Sequence, residues 1–252
     1  PTAHQFKLRY SRTSMFVPTF NTLTNHYCTG SYSMKNDRIL HPFKSSAHAQ
    51  LINGKQLKLW GEFTQKVTLF KGGSSIDVRV FAGVFLGSKA DDLTHRFRLT
   101  AGNGADAIIR SGDDLINRGI TDYLYDEVYL ARYSPSNNLL SQQVSIQDGG
   151  FRTGLFLGAN NDWLSSLNIT IPTPTKYLSV FIDGGIYPGF QETSLACSGG
   201  IQLNLWKDVF EVYFPLLFSS NISDNYDAVG LNEYAQRIKF LFNIGQYKHL
   251  ID

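Results

Sequence analysis

The sequence predicts an all-β fold, an antiparallel up-and-down transmembrane β-barrel of about twelve strands. Three observations lead there. Apolar and polar residues alternate with period two along most of the chain. The alternating runs mostly exceed the roughly 5–6 residues usual in globular strands and reach the about 9–11 that a tilted membrane strand requires. Aromatic side chains gather at run ends (Tyr10, Trp60, Phe70, Trp163, Tyr177, Trp206, Phe218 and Tyr247), where interfacial girdles would lie.

The runs are read in chain order. Phe6, Leu8 and Tyr10 alternate with Lys7, Arg9 and Ser11. From 55 to 70 one face carries Leu57, Leu59, Gly61, Phe63, Val67 and Leu69, and the other Lys58, Glu62, Thr64, Lys66 and Thr68. Between 75 and 87, Ile76, Val78, Val80, Ala82, Val84 and Leu86 oppose Asp77, Arg79 and Gly83. Phe97 and Leu99 alternate with Arg96 and Arg98. Further on, Leu167, Ile169 and Ile171 oppose Ser166, Asn168 and Thr170, and Leu195 to Leu205 oppose Ser198, Gln202 and Asn204. Near the end, Ile238, Phe240, Phe242 and Ile244 oppose Arg237, Lys239 and Asn243.

The connections predict hairpins. Asn53-Gly54 between two strand-like runs is the strongest short hairpin signal. The stretches 71–75, 172–175 and 206–208 read as short turns, and 104–121 and 219–234 as longer polar loops. Candidate strands fall near 2–13, 22–35, 42–52, 55–70, 75–87, 92–102, 123–133, 141–157, 162–172, 176–187, 193–206, 208–218 and 235–248. A bacterial barrel needs an even number. One run must therefore drop out, with fourteen strands as the alternative; 22–35 and 123–133 alternate least well. Pro215 inside 208–218 demands a bulge or a strand end, because proline cannot donate to the ladder. No linker or repeat divides the chain, so residues 1–252 read as a single β-barrel domain.

Composition sets the outer limits. With 23 basic and 21 acidic residues in 252, the chain lacks the basic footprint of a nucleic-acid binder, and no nucleic-acid partner is expected. Charged residues reach 17% against roughly 25% in ordinary soluble domains, while aromatics reach 13%. No run approaches the roughly 18 apolar residues of a membrane helix. The opening residues lack a signal peptide's basic segment and apolar run, so an exported protein would be seen here in mature or excised form. Cys28 and Cys197 read as two separate small apolar side chains.

Chemistry is sparse. His4, His26, His41, His48, His95 and His249 form no HExxH and no Cys/His cluster, so neither a metal site nor a cofactor is expected. Gly102-Asn-Gly-Ala-Asp-Ala107 matches a dinucleotide fingerprint only in its spacing, without the buried strand and helix that the chemistry needs. The acidic pairs Asp91-Asp92, Asp113-Asp114 and Asp126-Glu127 sit beside turn residues and read as solvated charge. No constellation supports a reaction, and no enzymatic role is assigned to this chain.

The polar faces carry the functional reading. In a membrane barrel the apolar face meets lipid and the polar face lines or fills the lumen. Lys7, Arg9, Lys58, Glu62, Lys66, Asp77, Arg79, Arg96, Arg98, Arg237 and Lys239 then point inward. Both signs of charge lock a filled interior more readily than they build a selective pore, and Trp60, Phe81 and Phe85 narrow that face further. Among the loops, Tyr123, Tyr125, Tyr129 and Arg132 form the best candidate partner contact, since Tyr and Arg are favoured at interface hot spots.

Four stretches point to a family: 122–132 (Asp-Tyr-Leu-Tyr-Asp-Glu-Val-Tyr-Leu-Ala-Arg), 141–151 (Ser-Gln-Gln-Val-Ser-Ile-Gln-Asp-Gly-Gly-Phe), 208–218 (Asp-Val-Phe-Glu-Val-Tyr-Phe-Pro-Leu-Leu-Phe) and 237–245 (Arg-Ile-Lys-Phe-Leu-Phe-Asn-Ile-Gly). They resemble the C-terminal outer-membrane barrel-like region that follows the catalytic domain in some bacterial aminopeptidase N-like (gluzincin) zinc metallopeptidases. The resemblance covers roughly residues 120–250. It implies a location in the bacterial outer membrane and a role as anchor or scaffold. The implied surroundings are lipid bilayer and lipopolysaccharide, with a peptidase domain or other outer-membrane proteins as partners. The family's zinc ligands and general base belong to a domain outside these residues, so no catalytic residue is carried over. The closing Leu250-Ile-Asp252 departs from the usual terminal aromatic. A small-solute pore and a soluble β-sandwich binding module are the alternatives.

Overall fold

The computed structural model describes residues 2–17, 20–69, 74–87, 95–99, 101–102, 124, 130, 139–153, 157–189, 192–206, 209–228 and 231–243. The strands are β1 (Thr2–Val17), β2 (Phe20–Asn36), β3 (Phe43–Ile52), β4 (Gln56–Thr68), β5 (Ser75–Gly87), β6 (Ala101–Gly102), β7 (Gln143–Ser145), β8 (Trp163–Pro172), β9 (Leu178–Pro188), β10 (Thr193–Trp206), β11 (Phe210–Phe218) and β12 (Lys239–Phe242). Two helices follow β11: α1 (Ser220–Ala228) and the single turn α2 (Tyr234–Arg237).

All twelve strands join one sheet, in the order β1-β2-β3-β4-β5-β8-β9-β10-β11-β12-β7-β6. Neighbours are antiparallel except β12 and β7, which pair in parallel through Phe240 and Leu241. Among the described residues no pairing joins β1 to β6, so the sheet is open.

The long strands alternate in direction, so β1 enters and β12 leaves at the same end, with Thr2 opposite Asn36 and Phe242 opposite Phe210. Local chemistry sets the hairpins. Asn53 and Gly54 both adopt positive φ (51° and 70°), the mirror-image turn whose twist matches the strands it joins. The Asn53 side chain accepts from the His26 N–H (2.8 Å) and donates to Asn25 Oδ1 (2.7 Å), which ties this turn to β2. Where Pro215 denies a ladder donor, the β10–β11 register slips: Gly199 faces Leu217 and Gly200 faces Pro215. The expected bulge sits there.

The chain between β5 and β8 departs from the sequence reading. Strand β8 pairs directly with β5, Val80 opposite Leu167, so the segment between them is an insertion. Among the described residues, the runs 92–102 and 141–157, read as membrane strands, contribute the short strands β6 and β7, the end of a 3-10 turn (Leu139–Gln142) and irregular chain. Phe97 and Leu99, expected on the lipid side, are fully buried together with Phe81, Phe151, Leu157 and Leu164. The internal ladder explains why. Phe97 and Asn160 exchange backbone hydrogen bonds (2.9 and 3.0 Å), Leu99 donates to Leu157 (3.0 Å), and Phe151 donates to Leu99 (2.8 Å). The described stretches of the insertion thus pair with one another and present apolar side chains to the inner sheet face.

The stretch 219–234, read as a polar loop, contains α1. Ile222 and Tyr226, four residues apart and therefore on one helix face, are fully buried in the same cluster. The Tyr226 hydroxyl donates to the Thr153 carbonyl (2.9 Å), and burial pushes its phenol well above the ordinary range.

Glycines make room for this filling. A Cβ at Gly83 would overlap the Phe97 ring, and one at Gly185 would overlap Leu99. Gly185→Val therefore forces Leu99 out of its place and lowers stability by about 1–3 kcal/mol, as overpacked cores do. Gly184→Ala, with nothing within 4 Å of its Cβ, leaves the unfolding midpoint nearly unchanged; parallel urea unfolding of the two variants measures the contrast.

Candidate functional site

The two faces of the sheet differ in a way that β9 shows most simply. Leu178, Val180, Ile182 and Ile186 are exposed, while Ser179, Phe181, Asp183, Gly185 and Tyr187 between them are buried. Ile182 is 47% exposed and its neighbour Asp183 is 0%. The same inversion continues along the sheet. Val80, Val84, Leu86, Leu167, Leu195, Ile201 and Leu217 are exposed, whereas Lys58, Arg79, Asn168, Ser198 and Gln202 are buried.

A linked set of charges holds the inner face against the insertion. Arg79 on β5 donates to Glu62 Oε2 on β4 (2.7 Å), to Asn168 Oδ1 on β8 (3.0 Å) and to the Asp148 carbonyl of the insertion (2.7 Å). Asn168 donates onward to Asp183 Oδ1 on β9 (3.0 Å) and to the Gly150 carbonyl (3.3 Å). Asp183 accepts from the Arg152 backbone N–H (2.9 Å), and the Arg152 guanidinium lies 3.4 Å from its other oxygen. Arg152 also donates to Thr170 Oγ1 (2.8 Å) and packs over Phe181 and Tyr213. One set of contacts therefore ties four adjacent strands to residues 148–152. Gly150 is required at its centre: its φ is +65°, and a Cβ there would press on Arg79 Nη1.

Lys58 anchors the same insertion farther along. Its Nζ donates to the His95 carbonyl (3.0 Å) and lies 4.5 Å from the Phe97 ring centroid, with Trp60 and Phe85 on its other sides. Trp60 stacks on His48 at 4.7 Å, on the inner face where the sequence places it with Phe81 and Phe85. Gln56 completes the group by bonding to the His95 ring (2.9 Å).

The remaining sequence-derived candidates divide. Glu62 is half-buried in its pair with Arg79. Lys66 and Asp77 line an inner cavity of about 1160 Å³ reached from the end where β1 enters, together with Lys44, Lys176, Gln202 and Glu211. Arg96 and Arg98 are on the insertion, not on a sheet strand; Arg98 is buried and its N–H donates to Asp148 Oδ2 (3.2 Å). Tyr123, Tyr125, Tyr129 and Arg132 lie outside the described residues. The sequence reading missed Asp148, Arg152 and Asp183. Asp183 had a visible signal, a lone acid at an inward position of the apolar run Val180-Phe-Ile-Asp183. Arg152 had none, because its partner is distant in sequence.

No described helix is long and apolar enough to cross a membrane. Among the described residues no group of His, Cys, Asp or Glu side chains is placed to hold a metal ion. The chain matches no family model, no curated protein and no solved structure.

Removing one member of a buried pair strands its partner's charge. Asp183→Asn is expected to lower unfolding free energy by about 3–5 kcal/mol. The double variant Asp183→Leu/Arg152→Met, which removes both charges and keeps the volume, recovers most of that loss in the same denaturation measurement.

Proposed function

We propose that this chain is a β-barrel anchor in the bacterial outer membrane, holding a peptidase-like domain or partner chains of a surface complex. The observation that carries the reading is the inverted burial of β9 and its neighbours, with isoleucine, leucine and valine outward and aspartate, arginine and lysine inward. In water this arrangement leaves many large apolar side chains exposed on one face of the sheet, the kind of surface that marks an interaction or membrane-facing site. In lipid the same surface is solvated by acyl chains, and the charges stay on the inner face. Long antiparallel strands pair the backbone between neighbours, and closure of the two sheet edges would complete what a bilayer demands of it. Lipid and lipopolysaccharide are then the surroundings of the outward face.

The packed insertion favours an anchor over a solute pore. Phe97, Leu99, Phe151 and Tyr226 fill the inner face where a channel would run, and the buried charges fasten that filling to four strands. The partner remains the peptidase-like domain implied by the resemblance.

Fractionation tests the location. The protein is expected with outer membranes, extractable by detergent, and slower or faster in a detergent gel after boiling than before. Recovery in the soluble fraction with unchanged migration contradicts the reading. A single substitution adds a sharper test. Leu167 is already exposed, so Leu167→Arg is nearly neutral in water, whereas mid-membrane it costs about 2–4 kcal/mol. Loss of insertion into lipid vesicles, with unchanged folding in detergent, is the expected result.

A further inference from the structure

The inner cavity of about 1160 Å³ has no part in anchoring. It is larger than the roughly 300–1,000 Å³ typical of small-molecule sites. Two polar atoms on its wall, Gln202 Oε1 on β10 and Ser145 Oγ on β7, have no hydrogen-bond partner among the described residues, although each residue is only 5% exposed. Buried polar groups are normally satisfied, so such atoms mark a place where an outside group completes them. We infer that this cavity is a binding site for a short neutral oligosaccharide.

The wall's chemistry selects that ligand. Gln202 Nε2 donates to Asn204 Oδ1 (2.6 Å), and Asn204 Nδ2 donates to Ser179 Oγ on β9 (3.0 Å). This chain fixes the orientation of both amides and leaves Gln202 Oε1 as an acceptor, while the Ser145 hydroxyl both donates and accepts. A sugar hydroxyl also does both and matches the pair; an inorganic anion only accepts and meets a repelling carbonyl dipole at Gln202. Tyr177, immediately before β9, falls in the inward register of Ser179 and Asp183 and is 55% exposed on the same wall. Its ring offers an apolar plate with a polar tip, which suits the apolar face of a sugar ring. The wall's charges are mostly answered in place, Lys35 by Asp37, Arg79 by Glu62 and Arg152 by Asp183. Lys44 and Lys176 share the cavity with Asp77 and Glu211, so neither sign dominates it.

Such a site goes beyond anchoring and works at a membrane or in solution, so its test is separate from that of location. Isothermal titration of the whole 252-residue chain, in a detergent without a sugar headgroup, uses maltotriose and triacetylchitotriose as probes and tripolyphosphate as the ionic control. Saturable binding of at least one sugar, tighter than that of tripolyphosphate, is expected. Tyr177→Ala and Gln202→Leu are each expected to weaken it at least about tenfold, the loss of one well-made contact. Thermal unfolding shows whether each variant folds; should the buried Gln202→Leu fail to fold, the exposed Tyr177→Ala decides alone. Binding of neither sugar, binding of tripolyphosphate as tight as that of the sugar, or unchanged affinity in a folded variant overturns the inference. A soluble protein that binds the sugar contradicts the membrane location alone. An outer-membrane protein that binds neither probe overturns this site alone.

Discussion

The contact set running from Glu62 through Arg79, Asn168 and Asp183 to Arg152 is the constraint on which the rest of the structure depends. A sheet with its polar side chains inward must satisfy them without bulk water, since a buried charge lacking a partner costs several kcal/mol. Here the partners come from two sources. Adjacent strands supply Glu62, Asn168 and Asp183, and the insertion supplies Arg152 with the carbonyls of Asp148 and Gly150. The insertion fills the inner face and neutralises it as well.

That double role explains several features that look unrelated in the sequence. Gly83 and Gly185 lack side chains because Phe97 and Leu99 occupy their space. Gly150 carries a positive φ because the chain must turn over Arg79. Lys58 directs its charge to the His95 carbonyl and three aromatic rings, which ties this inward cation to the insertion. The wider cavity lies toward the end of the sheet at which β1 enters, and residues 143–146 and Arg152 of the insertion form part of its wall.

Much of the frame was legible in the sequence. Period-two alternation located most of the long strands, whereas 22–35, one of the two runs that alternate least well and were candidates to drop out, forms β2 all the same; Asn53-Gly54 and Pro215 marked a hairpin and a bulge for stated physical reasons. What alternation does not reveal is which medium lies against each face. Arg96-Phe-Arg-Leu99 alternates as well as any membrane strand, yet Phe97 and Leu99 pack inside, because their backbone pairs with Asn160, Leu157 and Phe151 instead of with β5. Helix α1 was hidden by its polar composition; its signal was the Ile222–Tyr226 spacing alone. Asp183 and Arg152 are 31 residues apart, and nothing local predicts such a pair.

The central claim is that the apolar face of this sheet meets lipid. Its most direct test places a single fluorophore on a cysteine at Ile182, in a chain whose Cys28 and Cys197 are serine, and reconstitutes the protein into vesicles. The account predicts quenching by a lipid-dissolved quencher and protection from iodide in the water. Quenching by iodide with no response to the lipid-dissolved agent would contradict it.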